Sequence, residues 1–382
     1  MVYVQMGRKY YVIEINFDQQ GSFDPLEGTM RMSQVKDAFT LSPSSLLIRY
    51  SRAKTQNIES AFNKPRRRHI GKLWLVYYAL TGHIPTIHTV RYGLSDKIDQ
   101  HDVSKLALPT ATTRDEEGFI SCQTAKTLYQ QQYLLTSISY LYASHNRVTD
   151  EMGRLRLLWS AFNALYREFK ESEQRRPQPE QKRPQPEQKR PQPEQKRPQN
   201  SSEWKRAYTL VEKLNECKLL DDIIGRFCSN MPNIDTDPWR WEAFLSNFRP
   251  LGVEAKEGKS KLKNIEAVKY IFKDVDRKLL KTLLNRTSHM KNWQTLSSED
   301  DPIKQKLDVP PDEPDSPPDE CGYGRFRFVF SCYLYWLRCD TMHGNSPYPV
   351  FVNNDENDLL KTLCDFLEEL LHIAIKYFGD KK

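Results

Sequence analysis

The heptapeptide Arg-Pro-Gln-Pro-Glu-Gln-Lys stands three times in tandem between Arg176 and Lys196, and a fourth copy begins at Arg197. A seven-residue period suggests a coiled-coil seam, but two prolines per repeat remove backbone donors and block a helix interior. What remains is an extended, solvated, polyproline-like linker, roughly 65 Å long if stretched at about 3.1 Å per residue. A second breaker-rich stretch, Asp301 to Glu320, holds six prolines and seven acidic residues and reads as a surface loop. Any helical domain here must therefore be assembled around two insertions.

Helical periodicity dominates from about residue 121 to the end. Leu128, Tyr133, Leu134, Ile138, Leu141 and Tyr142 mark one amphipathic stretch over 123–144, and Leu155, Leu158, Trp159, Phe162, Leu165, Tyr166 and Phe169 mark another over 151–169. Further helices are expected at about 203–228, 238–248, 263–290, 324–343 and 356–378. The expectation is an all-α domain over 121–382, interrupted by the linker 171–200 and the acidic loop 301–320.

Residues 1–120 read differently, as a small α+β domain. Tyr10 to Phe17 is rich in β-branched and aromatic residues and ends at Gln-Gln-Gly; Ser45 to Tyr50 and Thr86 to Tyr92 are further strand candidates. Lys72 to Leu80 fits either a short helix closed by Gly82 or a buried strand, since periodicity cannot decide over nine residues. The chain as a whole is thus mostly α.

At 382 residues the chain can bury ordinary cores without disulfides or metal. Its seven cysteines lack CxxC spacing and fall mostly in apolar runs, which suggests reduced, buried thiols and a cytoplasmic location. No basic segment leads into an apolar one at the N-terminus, and no run of 18 or more apolar residues follows, so no membrane association is expected. The net charge of +7 comes from 57 basic against 50 acidic side chains, which permits an anionic partner without requiring one.

The segment Gly324 to His343 reads as one buried helix, with Phe326, Val329, Phe330, Tyr333, Leu334 and Leu337 at helical spacing. Gly344 suits the left-handed position that ends it, and Pro347 and Pro349 prevent resumption. Arg338-Cys339-Asp340-Thr341-Met342-His343 then occupies the last two turns. Arg338, four intervening residues, His343 and Gly344, followed by a loop and the amphipathic helix Asn357 to Phe378, resemble the HEPN family. These are helical-bundle domains of prokaryotic toxins, antiphage defence systems and CRISPR-associated ribonucleases, whose signature is Arg, four to six residues, then His. The amphipathic helix 151–169 resembles the opening helix of that family. The resemblance covers about 151–379 and does not extend to residues 1–120.

The resemblance implies metal-independent cleavage of single-stranded RNA, in antiphage defence or as a toxin, with no cofactor and no metal. A group with a pKa near neutrality must take the ribose 2′-OH proton, and a fixed cation must stabilise charge on the phosphorane. His343 fits the first role, or that of the acid that protonates the 5′-oxygen leaving group; Arg338 with its planar fork fits the second, and Asp340 completes the candidate set. The products would be a 2′,3′-cyclic phosphate and a 5′-hydroxyl. Only one Arg-x4-His occurs in the chain, and family sites are usually composed across a dimer, so a homodimer is implied. The position after the Arg is usually polar in the family, whereas here it is Cys339. A non-catalytic binding or scaffold subunit of a larger defence complex is therefore the alternative, and residues 1–120 would regulate the site or recruit a partner protein.

Other candidates are weaker. Lys64-Pro65-Arg66-Arg67-Arg68-His69 is the densest basic cluster and could contact RNA phosphates, or be a solvated loop. Trp74, Tyr77, Tyr78 and His83 could stack bases or belong to a core. Arg286-Thr-Ser-His289 has the right residue types at the wrong spacing, Trp239-Arg-Trp241 suits packing, and His69, His83, His88 and His101 lack the spacing of a zinc site.

Overall fold

The computed structural model describes residues 10–19, 21–32, 35–51, 57–62, 64–102, 117–146, 150–174, 203–231, 253–254, 261–262, 275, 277–286, 305, 318–335, 337–338 and 354–380. The chain is mostly helical with a small antiparallel sheet and forms two compact units, residues 1–165 with 371–382, and residues 166–370.

In the first unit, β1 (Tyr11–Phe17), β2 (Leu26–Met32), β3 (Val35–Leu41), β4 (Ser45–Tyr50), β5 (Ile87–Leu94) and β6 (Lys97–His101) form one antiparallel sheet in the order β2-β3-β4-β1-β5-β6. The central strand β1 is buried at almost every position, whereas β4 alternates, with Leu46, Ile48 and Tyr50 inside and Arg49 outside. Gly28 faces Phe39 across the β2–β3 pair, and a Cβ there would fall 2.5 Å from the phenylalanine ring, so only glycine leaves the ring its place.

After the single turn α1 (Ile58–Ala61), the helix α2 spans Lys64–Thr81. It resolves the ambiguity of Lys72 to Leu80 in favour of helix, with Trp74, Tyr77 and Tyr78 in the core. Phe17 meets the rings of Trp74 and Tyr77 edge-on at 5.3 and 5.2 Å, so this helix covers the sheet. Gly82 ends it with φ +79°, its amide donating to the Tyr78 carbonyl at 2.7 Å.

Two helical stretches that periodicity would make continuous are broken. α3 (Cys122–Leu128) and α4 (Gln132–Asn146) are separated by tight turns in which Gln130 and Gln131 donate three residues back. The break aims Tyr129 at His69, 2.8 Å from its Nδ1, and at the Phe39 ring. That tertiary contact leaves no mark on apolar spacing. The long helix α5 (Glu151–Gln174) follows, burying Leu155, Leu158, Trp159, Phe162, Leu165 and Tyr166. In the first unit the chain's C-terminus packs on α3 and α4: Thr127 Oγ1 donates to the Gly379 carbonyl at 2.6 Å, and Phe378 meets Tyr133.

In the second unit, α6 (Glu203–Glu216) and α7 (Asp221–Asn230) divide at Lys218, which adopts φ +59°. The Leu219 amide donates to the Leu214 carbonyl, a Schellman closure in which glycine is the usual left-handed residue. Holding a side chain there costs about 1 kcal/mol. Lys218→Gly is therefore expected to raise stability by about 0.5–1 kcal/mol, read as a higher urea midpoint; an unchanged or lower midpoint would rule out strain at this cap.

The motif-bearing helix starts at Pro318, so the end of the acidic segment is helical, with proline tolerated in a first turn where amides lack helix partners. It runs as α-helix to Phe328, passes through a π-helical turn at Val329–Tyr333, and continues at Leu334. The Leu334 amide donates to the Val329 carbonyl five residues back, and the Ser331 hydroxyl donates to the Arg327 carbonyl. Every residue of the π turn is buried. Phe227 of α7 meets Phe326, Phe330 and Phe366 edge-on at 5.3–5.6 Å. Arg327 lies over the Tyr208 ring and pairs with Glu212 at 3.0 Å. The expected all-α character is broken by the short pair β7 (Val253–Glu254) and β8 (Lys261–Leu262). The helix Arg277–Arg286 and the terminal helix Asn354–Asp380 match expected segments in part; residues 238–248 lie outside the described residues. Among the described residues no helix is long and apolar enough to cross a membrane.

The cysteines correct one expectation. Cys332 and Cys364 are buried, but Cys217 and Cys228 are exposed, because each sits on the outward side of a helix or at its end. Burial pushes the Cys332 thiol up to about 12. Its folded value exceeds the unfolded one, so this contribution to stability is complete below about pH 9 and is lost as pH rises towards 12. Iodoacetamide at about pH 8 is expected to alkylate Cys217 in the native chain and to spare Cys332 and Cys364 until denaturant is added. Peptide mass spectrometry reads this directly, and early labelling of Cys332 would contradict the burial.

Candidate functional site

Arg338 lies where the motif-bearing helix leaves the core. Residues 326–334 are buried, Leu337 is half-buried, and the Arg338 side chain is 25% exposed. Its Nη1 stands 3.8 Å from Oε2 of Glu203, the first residue of α6, whose side chain is 24% exposed. The other carboxylate oxygen, Oε1, accepts a 2.5 Å hydrogen bond from the Tyr166 hydroxyl on α5. Tyr166 and Arg338, both residues of the second unit, thus meet at the Glu203 carboxylate of the same unit. Burial, then the hydrogen bond and charge of Glu203, hold the Tyr166 phenol protonated well above the usual tyrosine range. Tyr166 therefore acts as a fixed donor that orients Glu203, and Glu203 in turn holds Arg338 by charge at a distance longer than a hydrogen bond.

Cys339, Asp340, His343 and Gly344 lie outside the described residues. Trp239, Trp241 and His289 do too. Arg286 ends the helix Arg277–Arg286, in keeping with a residue that decorates a helix end.

The basic cluster is not a loop: Lys64, Arg66, Arg67 and Arg68 all lie in the first turns of α2. Nor does it face solvent as a unit. Arg66 and Asp37 on β3 are each 0% exposed and pair through Nη2 and Oδ2 at 2.9 Å. Arg66 also donates to the Ala61 carbonyl and lies over the Tyr50 ring at 4.0 Å. Burial removes Arg66 from the RNA-contact candidates and makes it part of the fold. Arg67 and Arg68 are exposed, though Arg67 also donates to the Phe62 carbonyl. Trp74, Tyr77 and Tyr78 belong to the core, and among the described residues no three His, Cys, Asp or Glu side chains gather to hold a metal ion.

Sequence reading missed Glu203 and Tyr166. Tyr166 is one apolar position among seven on its helix, and Glu203 is an acidic residue at a helix start, where acids are common. Neither carries a local signal of Arg338. No family model, curated protein or solved structure matches the chain.

Proposed function

We propose that the protein is a metal-independent endoribonuclease of the HEPN type that cleaves single-stranded RNA, serving antiphage defence or acting as a toxin. The observation that supports the reading is Arg338: a guanidinium 25% exposed just beyond the buried stretch 326–334, beside the Glu203 carboxylate that a hydrogen bond from Tyr166 orients. A cation so placed can receive a phosphate without the core rearranging. In the reaction His343 takes the proton of the ribose 2′-OH, and the 2′-oxygen attacks phosphorus. The bond to the 5′-oxygen breaks, and that oxygen leaves with a proton, giving a 2′,3′-cyclic phosphate and a 5′-hydroxyl. Arg338 stabilises the charge gathered on the non-bridging oxygens. Asp340 lies between these two residues in the chain, and a homodimer would place two such sets together.

Labelled single-stranded RNA incubated with the purified chain in EDTA is expected to be cut, and Arg338→Ala and His343→Ala are each expected to slow cutting by at least about 10²-fold. Activity that survives both substitutions would sink this site. Absence of cutting together with saturable RNA binding would establish instead the non-catalytic binding module.

A further inference from the structure

The group that faces Arg338 is itself an anion. Among the described residues the Glu203 carboxylate has two partners, and they divide its oxygens: Oε1 accepts from the Tyr166 hydroxyl at 2.5 Å, and Oε2 stands 3.8 Å from Nη1 of Arg338. An acid at the first position of α6 suits the positive end of that helix, but helix position does not account for the bond from Tyr166. Tyr166 is 0% exposed, and burial together with Glu203 keeps its phenol protonated, so the donor stays in place. It fixes one carboxylate oxygen while the other lies towards the guanidinium. At 3.8 Å between two partly exposed groups, that second contact is weaker than the charge-assisted hydrogen bonds a phosphate makes to an arginine fork.

We infer that Glu203 is an internal anion that competes with RNA phosphate for Arg338 and so limits how tightly the site holds RNA, a role that rests on the ribonuclease reading. A phosphate on Arg338 brings a second negative charge within a few ångströms of the Glu203 carboxylate. Either the carboxylate leaves the guanidinium or the two anions repel, and in both cases RNA binds less tightly than Arg338 alone would hold it. The bond from Tyr166 opposes the first escape. After cleavage the same repulsion favours departure of the phosphate product, and the carboxylate is already in place to face Arg338 again.

Glu203→Gln isolates the charge, since it keeps the side chain's size and an oxygen that can accept from Tyr166. The full chain carrying His343→Ala, to slow cutting, is titrated into fluorescein-labelled single-stranded RNA of random sequence and binding is read by anisotropy at low salt. Saturable binding is expected, weakened about tenfold or more by Arg338→Ala and tightened about tenfold by Glu203→Gln. A damaged fold does not mimic a gain in affinity. Glu216→Gln removes the same charge from the other end of α6, roughly 20 Å away at about 1.5 Å per residue, and is expected to change binding by less than about twofold. Added to Arg338→Ala, Glu203→Gln is also expected to gain less than about twofold, because the phosphate then has no cation to hold it beside residue 203. Three results overturn the competition and leave the ribonuclease reading standing: Glu203→Gln binding no tighter than the parent, an equal gain from Glu216→Gln, or a gain that persists without Arg338. No saturable RNA binding, or binding indifferent to Arg338→Ala, overturns both.

Discussion

Asp37→Ala is expected to destabilise the chain by about 3–5 kcal/mol, because it leaves the Arg66 guanidinium charged and without its carboxylate in a place closed to water. Arg66→Ala strands the carboxylate in the same way and should cost a similar amount. With total stability for a domain on the order of 5–15 kcal/mol, either change removes a large share of what holds the first unit folded. Surface pairs do not behave so: Arg91 and Glu14, partly exposed at 3.1 Å, contribute at most about 1 kcal/mol. The buried pair is also not in itself a large source of stability, since two charges had to leave water to form it. Asp37→Leu combined with Arg66→Met, which removes both charges and keeps apolar volume, is therefore expected to lie within about 2 kcal/mol of the parent. Urea unfolding followed by circular dichroism measures all of these. A shift below about 1 kcal/mol for Asp37→Ala would show that water reaches the pair.

Arg338→Ala is expected to lower RNA cleavage by about 10²–10³-fold, the usual consequence of removing one group that stabilises transition-state charge. Stability should hardly move. Arg338 and Glu203 are each about a quarter exposed and 3.8 Å apart, so their pair contributes at most about 1 kcal/mol. That separation lets a loss of rate be read as lost chemistry and not as lost fold. Arg338→Lys keeps the charge but not the fork, so it is expected to fall between the parent and the alanine variant. Equal rates for the lysine and alanine variants would mean that bidentate contact is the whole contribution. An alanine variant as active as the parent would remove Arg338 from the mechanism.

Much of the architecture was legible where residue chemistry is strong and local. Tyr11–Phe17, Ser45–Tyr50 and Ile87–Leu94 are strands because β-branched and aromatic residues dominate them, and α5 and the terminal helix show a plain apolar stripe. Strands β2, β3 and β6 escaped notice. Leu26–Met32 carries a glycine, Val35–Leu41 an aspartate, and Lys97–His101 is largely polar, so none of them has the composition of a strand. They are strands because a neighbour in register offers hydrogen bonds. The apolar run Trp74 to Ala79 became decidable only once the sheet beneath it fixed which sides were covered.

At Arg338, the sequence by itself offered a cation late in an apolar helix, at motif spacing from His343. Only the tertiary structure decided what meets it, because Glu203 and Tyr166 come from helices on the far side of the proline-rich linker or before it, and side-chain spacing along one helix carries no information about its neighbours. The basic cluster shows the same division more sharply. Charge count makes Arg66, Arg67 and Arg68 equivalent, yet helix geometry turns successive residues about 100° apart, so Arg66 points inward to Asp37 while its neighbours face water. Local sequence sets which chemistry a segment carries; packing sets which of those groups the solvent, or a ligand, can reach.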